Sequence, residues 1–192
     1  MKTTFLRNAA LGLTLALAAC ASGGPKRAPA GPGVDVARFH LGETVARAQI
    51  AIEPFDKADG NRPEFPAYAA AVGRQLNRLG WTVVPTTTGS EQIALIDLEQ
   101  GSREAVAALS AARIGRGLSA TTPSGTSANV TASLLEVAIR RRSDGTVFWE
   151  GRAVGEAPTG SPEAARTAVV ERLAEALFRD FPGESGRTIR VR

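Results

Sequence analysis

The 192-residue chain holds one cysteine and one histidine. One cysteine excludes an internal disulfide framework and a thiolate zinc cluster. One histidine excludes a multi-histidine metal site. Aromatic residues are sparse at 5%. The three lysines are Lys2, Lys26 and Lys57, and none is a Walker lysine. No apolar run reaches the ~18 residues that cross a bilayer as a mature helix. What remains is ordinary for a folded domain, with 43% apolar and 22% charged residues in a length that suits one domain.

The N-terminus carries the clearest signal. Lys2 and Arg7 form a positive region, and Ala9 to Ala19 follow as an uncharged, leucine- and alanine-rich stretch. That length is too short to span a membrane and fits a secretory signal peptide over residues 1–19. It ends in Leu17-Ala18-Ala19-Cys20, which resembles the bacterial lipobox. The thiol must reach a diacylglycerol donor at the membrane surface, and the small residues let a peptidase approach the bond before Cys20. A conventional signal peptide would also place small residues there, but the only cysteine stands where a lipobox requires it. The expectation is a mature chain beginning at acylated (palmitate-type) Cys20 and held by more than one acyl chain. Residue 21 is alanine rather than aspartate, which resembles export to the outer membrane of a Gram-negative cell, on its periplasmic side.

Removal of residues 1–19 takes away Lys2 and Arg7 and no acid, so 23 basic residues become 21 against 19 acids, a net of +2. That balance does not suggest a nucleic-acid binder. Residues 20–33 are the lipidated cysteine and a Gly/Pro/Ala-rich tether with no apolar periodicity, spanning roughly 20 Å. Residues 34–192 form the single predicted domain.

Within it, Val34–Leu41 and Ala48–Phe55 read as strands, with Ile50 and Ile52 on one face. A helix is predicted over Pro63–Leu79 from the spacing of Phe65, Tyr68, Val72, Leu76 and Leu79, stopped by Gly80. Trp81–Val84 is a short strand. Ile93–Leu98 is apolar on both faces and reads as a central strand. Ser102–Ile114 is ambiguous between helix and strand; the helix reading puts Val106, Leu109 and Ala112 or Arg113 on one side. Gly115–Ala128 reads as a surface loop. Val130–Arg141 and Thr146–Val154 flank Ser143-Asp144-Gly145 and predict a hairpin with Arg142 opposite Thr146, Ile139 opposite Trp149 and Glu136 opposite Arg152. Ser161-Pro162-Glu163 reads as a helix start, with Val169, Leu173, Leu177 and Phe181 following and a Glu175–Arg179 pair. Ile189 and Val191 alternate with arginines and suit either an edge strand or a disordered tail. The predicted fold is α+β: a single mixed or antiparallel sheet with two main helices packed mostly on one face.

Motifs for chemistry are few. His40 has no predicted nucleophile or acid partner, and an acylated Cys20 is no nucleophile, so no catalytic residue is assigned. Gly115–Ala120 matches a loose G-x-G-x-x-A but lacks the flanking strand and helix of a dinucleotide site. Asp97 and Glu99 share a strand face, and Glu53, Asp56 and Asp59 cluster near one loop; both groups read as solvated acids. No metal or cofactor is expected. Arg140, Arg141 and Arg142 read first as a solvated hairpin tip protecting an edge, and second as a patch for an anionic partner, with Arg187, Arg190 and Arg192 as further candidates.

The order of lipobox, tether, strands, a helix ending Leu79-Gly80-Trp81, apolar strand, glycine-rich loop, hairpin and terminal helix resembles a group of small Gram-negative lipoproteins built on a domain of unknown function. The nearest segment is Leu134–Gly155, with its Asp-Gly turn and Phe148-Trp149-Glu150-Gly151-Arg152 strand. The alanine-rich Ser102–Ile114 segment departs from that pattern. The resemblance brings no catalytic residue. It implies a non-enzymatic, membrane-anchored envelope lipoprotein binding an unidentified partner, whether protein, lipid or cell wall. The alternative is an auxiliary subunit of an envelope lipid or lipopolysaccharide transport system.

Overall fold

Aliphatic alternation over two adjoining segments produces the central hairpin. The computed structural model describes residues 33–42, 45–112 and 129–192. The predicted signal peptide, the lipobox-like segment with Cys20 and the predicted tether through residue 32 lie outside them, as does the predicted 115–128 loop with its glycine motif. β5 (Val130–Arg141) and β6 (Val147–Pro158) pair antiparallel, with Ile139 opposite Trp149, Val137 opposite Gly151 and Glu136 opposite Arg152, as the pattern predicts. The tip differs. Arg140 lies opposite Val147, and Arg141 N–H donates to Thr146 O, so a bulge absorbs Phe148 and shifts the register by one. Asp144 then closes the turn by accepting the Thr146 N–H at 2.9 Å. That bond, followed by the Thr146 side chain and Arg141, lowers the Asp144 carboxyl to about 2.

The hairpin is extended on both sides. β4 (Gln92–Gly101) pairs antiparallel with β5, and β1 (Val34–His40) with β6. β2 (Gln49–Pro54) lies parallel to β4 and to β3 (Thr82–Val84). The crossover from β2 to β3 is α1 (Phe65–Arg78), since parallel neighbours need a long connection. The C-terminal alternation becomes β7 (Thr188–Val191), an edge strand on β1. The resulting sheet of seven strands runs β3-β2-β4-β5-β6-β1-β7, and β4 is interior as its two-sided apolar character predicts.

α1 and α3 (Arg166–Phe178) cover one face of the sheet. Tyr68, Val72 and Leu76 of α1 and Val169, Leu173 and Leu177 of α3 are buried there against Ile50, Ile96, Val137 and Ile139. The ambiguous segment is helix α2 (Arg103–Ala112), and it lies on the opposite face, where Val106 packs on Ala132, Leu134 and Val154. Its buried positions are Val106 and Ser110, whereas the predicted Leu109 is 37% exposed. The start of α3 is also later than predicted. β6 runs on to Pro158, a 3-10 turn over Pro162–Ala164 brings the chain back, and extended Ala165 precedes the first helical residue. Ser161 makes no side-chain cap. The helix ends at Phe178, so Arg179 lies beyond it and donates to the Arg192 carbonyl at 2.9 Å.

Four aromatic side chains close the core at this end. Trp149 stacks on Phe178 with ring centroids 5.2 Å apart and lies 5.2 Å from Phe181, which meets Trp81 edge-on at 5.4 Å. Both indole N–H groups are satisfied, Trp149 by Pro182 O and Trp81 by Gln92 Oε1. The Trp149 ring lies across Gly151, where any Cβ would collide with it and with Leu177. Trp149→Ala should lower the unfolding free energy by about 3–5 kcal/mol in urea denaturation. A loss below about 1 kcal/mol, the size of an ordinary surface effect, would contradict this packing.

Candidate functional site

Strand directions sort the surface into two ends. Gly33, where the chain enters from the tether side, precedes β1 beside the end of β7. The opposite end gathers the last residues of β1, the first of β4 and β6, and the last of β5. There Leu41, Val45, Ala46, Glu91, Gln92, Arg141 and Phe148 line a cleft of about 240 Å³. Gln92 braces it, accepting from Trp81 Nε1 at 2.8 Å and donating to Ala46 O at 2.8 Å. Phe39, Leu41 and Val147 are large hydrophobic residues left exposed around this end, Leu41 most of all at 57%.

The three consecutive arginines do not converge. Arg141 lies over the Phe148 ring at 5.0 Å and pairs with Asp144 at 2.6 Å, on the wall of the cleft. Arg142 pairs with Glu53 at 2.6 Å and donates from Nε to Ser90 O. Arg140 is half-buried, between Ile93 on β4 and Val147 on β6. The C-terminal arginines sit elsewhere, with Arg187 paired to Glu184 and Arg190 to Asp35. Sequence reasoning found Arg141 and missed Leu41, Val45 and Phe148, whose grouping depends on the bulge and on the approach of the β1–β2 connection to β4.

The acids do converge. Asp97 and Glu99 of β4 and Glu136 of β5 share a trough with Phe55, Asp56, Asp59, Lys57 and Arg62, which brings the Asp97–Glu99 pair together with two members of the predicted loop group, while the third, Glu53, pairs with Arg142 instead. Among the described residues, no group of three His, Cys, Asp or Glu is arranged to hold a metal ion. Beside the trough, Arg152 is fully buried, with Nε 2.7 Å from Glu136 Oε1 and Nη1 3.4 Å from Ser110 O. Arg152 therefore ties β6 and β5 to α2.

His40 lies at the end of β1. Its Nδ1 accepts the Gly42 N–H at 3.1 Å, its Nε2 is 3.0 Å from Gly183 O, and its own N–H donates to Ser185 Oγ at 3.2 Å. Arg38, two residues earlier, is buried and donates to the carbonyls of Leu177 (2.8 Å), Ala176 (3.0 Å) and Arg179 (2.9 Å), completing the C-terminus of α3. Burial lowers the Arg38 guanidinium from its usual value, and Asp180 opposes the shift.

No family model matches the chain. It is similar to an uncharacterised protein of Zymomonas mobilis, with 24% identity covering 83% of this chain and 80% of that one. Among solved structures, it is similar to the PelC dodecamer from Paraburkholderia phytofirmans, with a TM-score of 0.43 and 10% identity over 73% of this chain and 93% of that one. It is also similar to lipoprotein GNA1162 from Neisseria meningitidis, with a TM-score of 0.38 and 13% identity over 72% of this chain and 100% of that one. Among the described residues no helix is long and apolar enough to cross a membrane.

The buried ion pair makes a sharp prediction. Glu136→Leu should destabilise the domain by about 3–5 kcal/mol, because the buried Arg152 loses its closest carboxylate and keeps only the more distant Glu150 at 3.7 Å. The double variant Glu136→Leu/Arg152→Leu should recover most of that loss. A double variant no more stable than the single one, by denaturant midpoint, would show that the pair is not the relevant interaction.

Proposed function

We propose that this chain is a membrane-anchored envelope lipoprotein with no catalysis of its own, whose domain holds a partner polypeptide by an apolar side chain. The single observation that carries the anchoring is Leu17-Ala18-Ala19-Cys20, with the only cysteine of the chain at the acylation position. Alanine at position 21 favours the outer membrane. The chain enters the domain ahead of β1, at the opposite end of the sheet from the Leu41–Phe148 cleft. Seven residues of β1 separate the two, a rise of roughly 23 Å. The cleft therefore lies at the end of the domain farther from the anchor, and the predicted tether of roughly 20 Å leaves it free to meet a polypeptide in the aqueous space. The cleft offers apolar walls with a carboxylate, an amide and a guanidinium at its rim, which suits binding and orientation.

The test is the full chain with a photoreactive residue at position 41, expressed in a Gram-negative host fed a fatty-acid probe. The probe should label the protein and fail to label Cys20→Ser. Irradiation should crosslink position 41 to a protein, and Ala46→Trp, which fills the cleft, should abolish that crosslink. Labelling that persists in Cys20→Ser would remove the anchor, and crosslinking to lipid would overturn the polypeptide reading.

A further inference from the structure

The segment following α3 turns back across the end of β1 and is fastened there by three side chains. Trp149 Nε1 donates to Pro182 O at 2.9 Å, His40 Nε2 meets Gly183 O at 3.0 Å, and Ser185 Oγ accepts the His40 N–H. A backbone bond from Gly186 N to Arg38 O, 2.8 Å, continues the fastening. The imidazole is the one group in this set whose second nitrogen is also engaged. Gly42 N–H can only donate, so Nδ1 must accept and be unprotonated. Nε2 then carries the proton and donates to Gly183 O. The structure thus specifies the neutral Nε2–H tautomer of the chain's only histidine.

We propose that His40 is a proton-sensitive latch on the Leu41–Gly42 corner. When a proton binds Nδ1, that atom becomes a donor and can no longer accept from Gly42, while the bond from Nε2 to Gly183 O survives and gains a charged donor. The two halves of the latch respond in opposite senses. The strap across β1 is held, and the corner bearing Leu41 is released. Gly42 has a φ of +77°, a conformation glycine adopts without strain, and no atom lies within 4 Å of where its Cβ would be. The corner therefore has room to move once the bond to Nδ1 is lost, and Leu41 is a wall of the cleft.

Among the described residues, the charged groups on the elements neighbouring His40 are engaged elsewhere. Arg38 on the same face of β1 binds the α3 carbonyls. Asp180 beyond α3 acts electrostatically on Arg38. Glu184 on the strap pairs with Arg187. On β6, Trp149 lies opposite His40, and the neighbouring Glu150 faces Arg152. On the cleft side Arg141 pairs with Asp144, and Glu91 bonds to the Ser143 hydroxyl. This inference stands whether or not the cleft takes a partner.

The experiment is NMR on the full chain in detergent, labelled with nitrogen-15. At pH 8 the imidazole nitrogens should report the Nε2–H tautomer. Between pH 8 and pH 5, the protection of the Gly42 amide, normalised to the intrinsic exchange rate at each pH, should fall about fivefold to tenfold, as expected for loss of one ordinary hydrogen bond. The Trp149 indole N–H should keep its protection. His40→Gln should remove the pH dependence at Gly42. An Nδ1–H tautomer, constant Gly42 protection in the natural protein, or an equal fall in His40→Gln would each overturn the latch.

Discussion

Trp149 lying across Gly151 is the constraint on which the rest of the structure depends. The ring occupies the space a side chain at residue 151 would need and stacks on Phe178. It also gathers Phe181 and, through it, Trp81. Strand β6 is thereby tied to the end of α3, to the strap and to the start of β3. The register of the hairpin follows, because a slip of one residue would carry the ring to the other face of the sheet. With the ring in place, α3 ends near β1, and Arg38 reaches its last carbonyls.

The charges are organised around the same frame. A chain with 20 arginines among its 23 basic residues spends many of them internally. Arg38 caps a helix, Arg152 ties two strands to α2, and Arg103 is held by Glu156 at 2.5 Å. Planar, multi-donor guanidinium suits such fixed bridging better than lysine does. The consecutive arginines at the hairpin tip obey the same rule: two have carboxylate partners within the domain. The exposed apolar residues left at that end, rather than the arginines, set the character of the surface.

How much was legible depended on the range of the interaction. The α1 stripe, the central character of β4 and the Ile139–Trp149 register are local patterns, and they read directly from residue spacing. The late start of α3 was hidden because Ser161-Pro162-Glu163 satisfies the local rules for a helix start, while the longer β6 determines where the helix can begin. α2 was legible as a helix but its face was not, since Ser110 is buried beneath Arg152 from a distant strand. In the site, Arg141 could be named from the sequence. Its companions Leu41, Val45 and Phe148 come from separate segments, and only the bulge at Phe148 turns that ring towards them. The trough acids were each visible, but only the pairing of β2 with β4 and β4 with β5 brings them together.

The lipobox and the sheet geometry together make one claim about orientation. The proposed lipid anchor at Cys20 would lead into the start of β1, so the Pro158 end of the sheet should on average lie nearer the bilayer than the Leu41 end. The direct measurement uses full-chain lipidated protein in vesicles, with a spectroscopic label at position 41 or at position 158. A quencher confined to the lipid surface is then applied to each. The account predicts stronger quenching at position 158 than at position 41. Equal quenching at both positions, or stronger quenching at position 41, would contradict it.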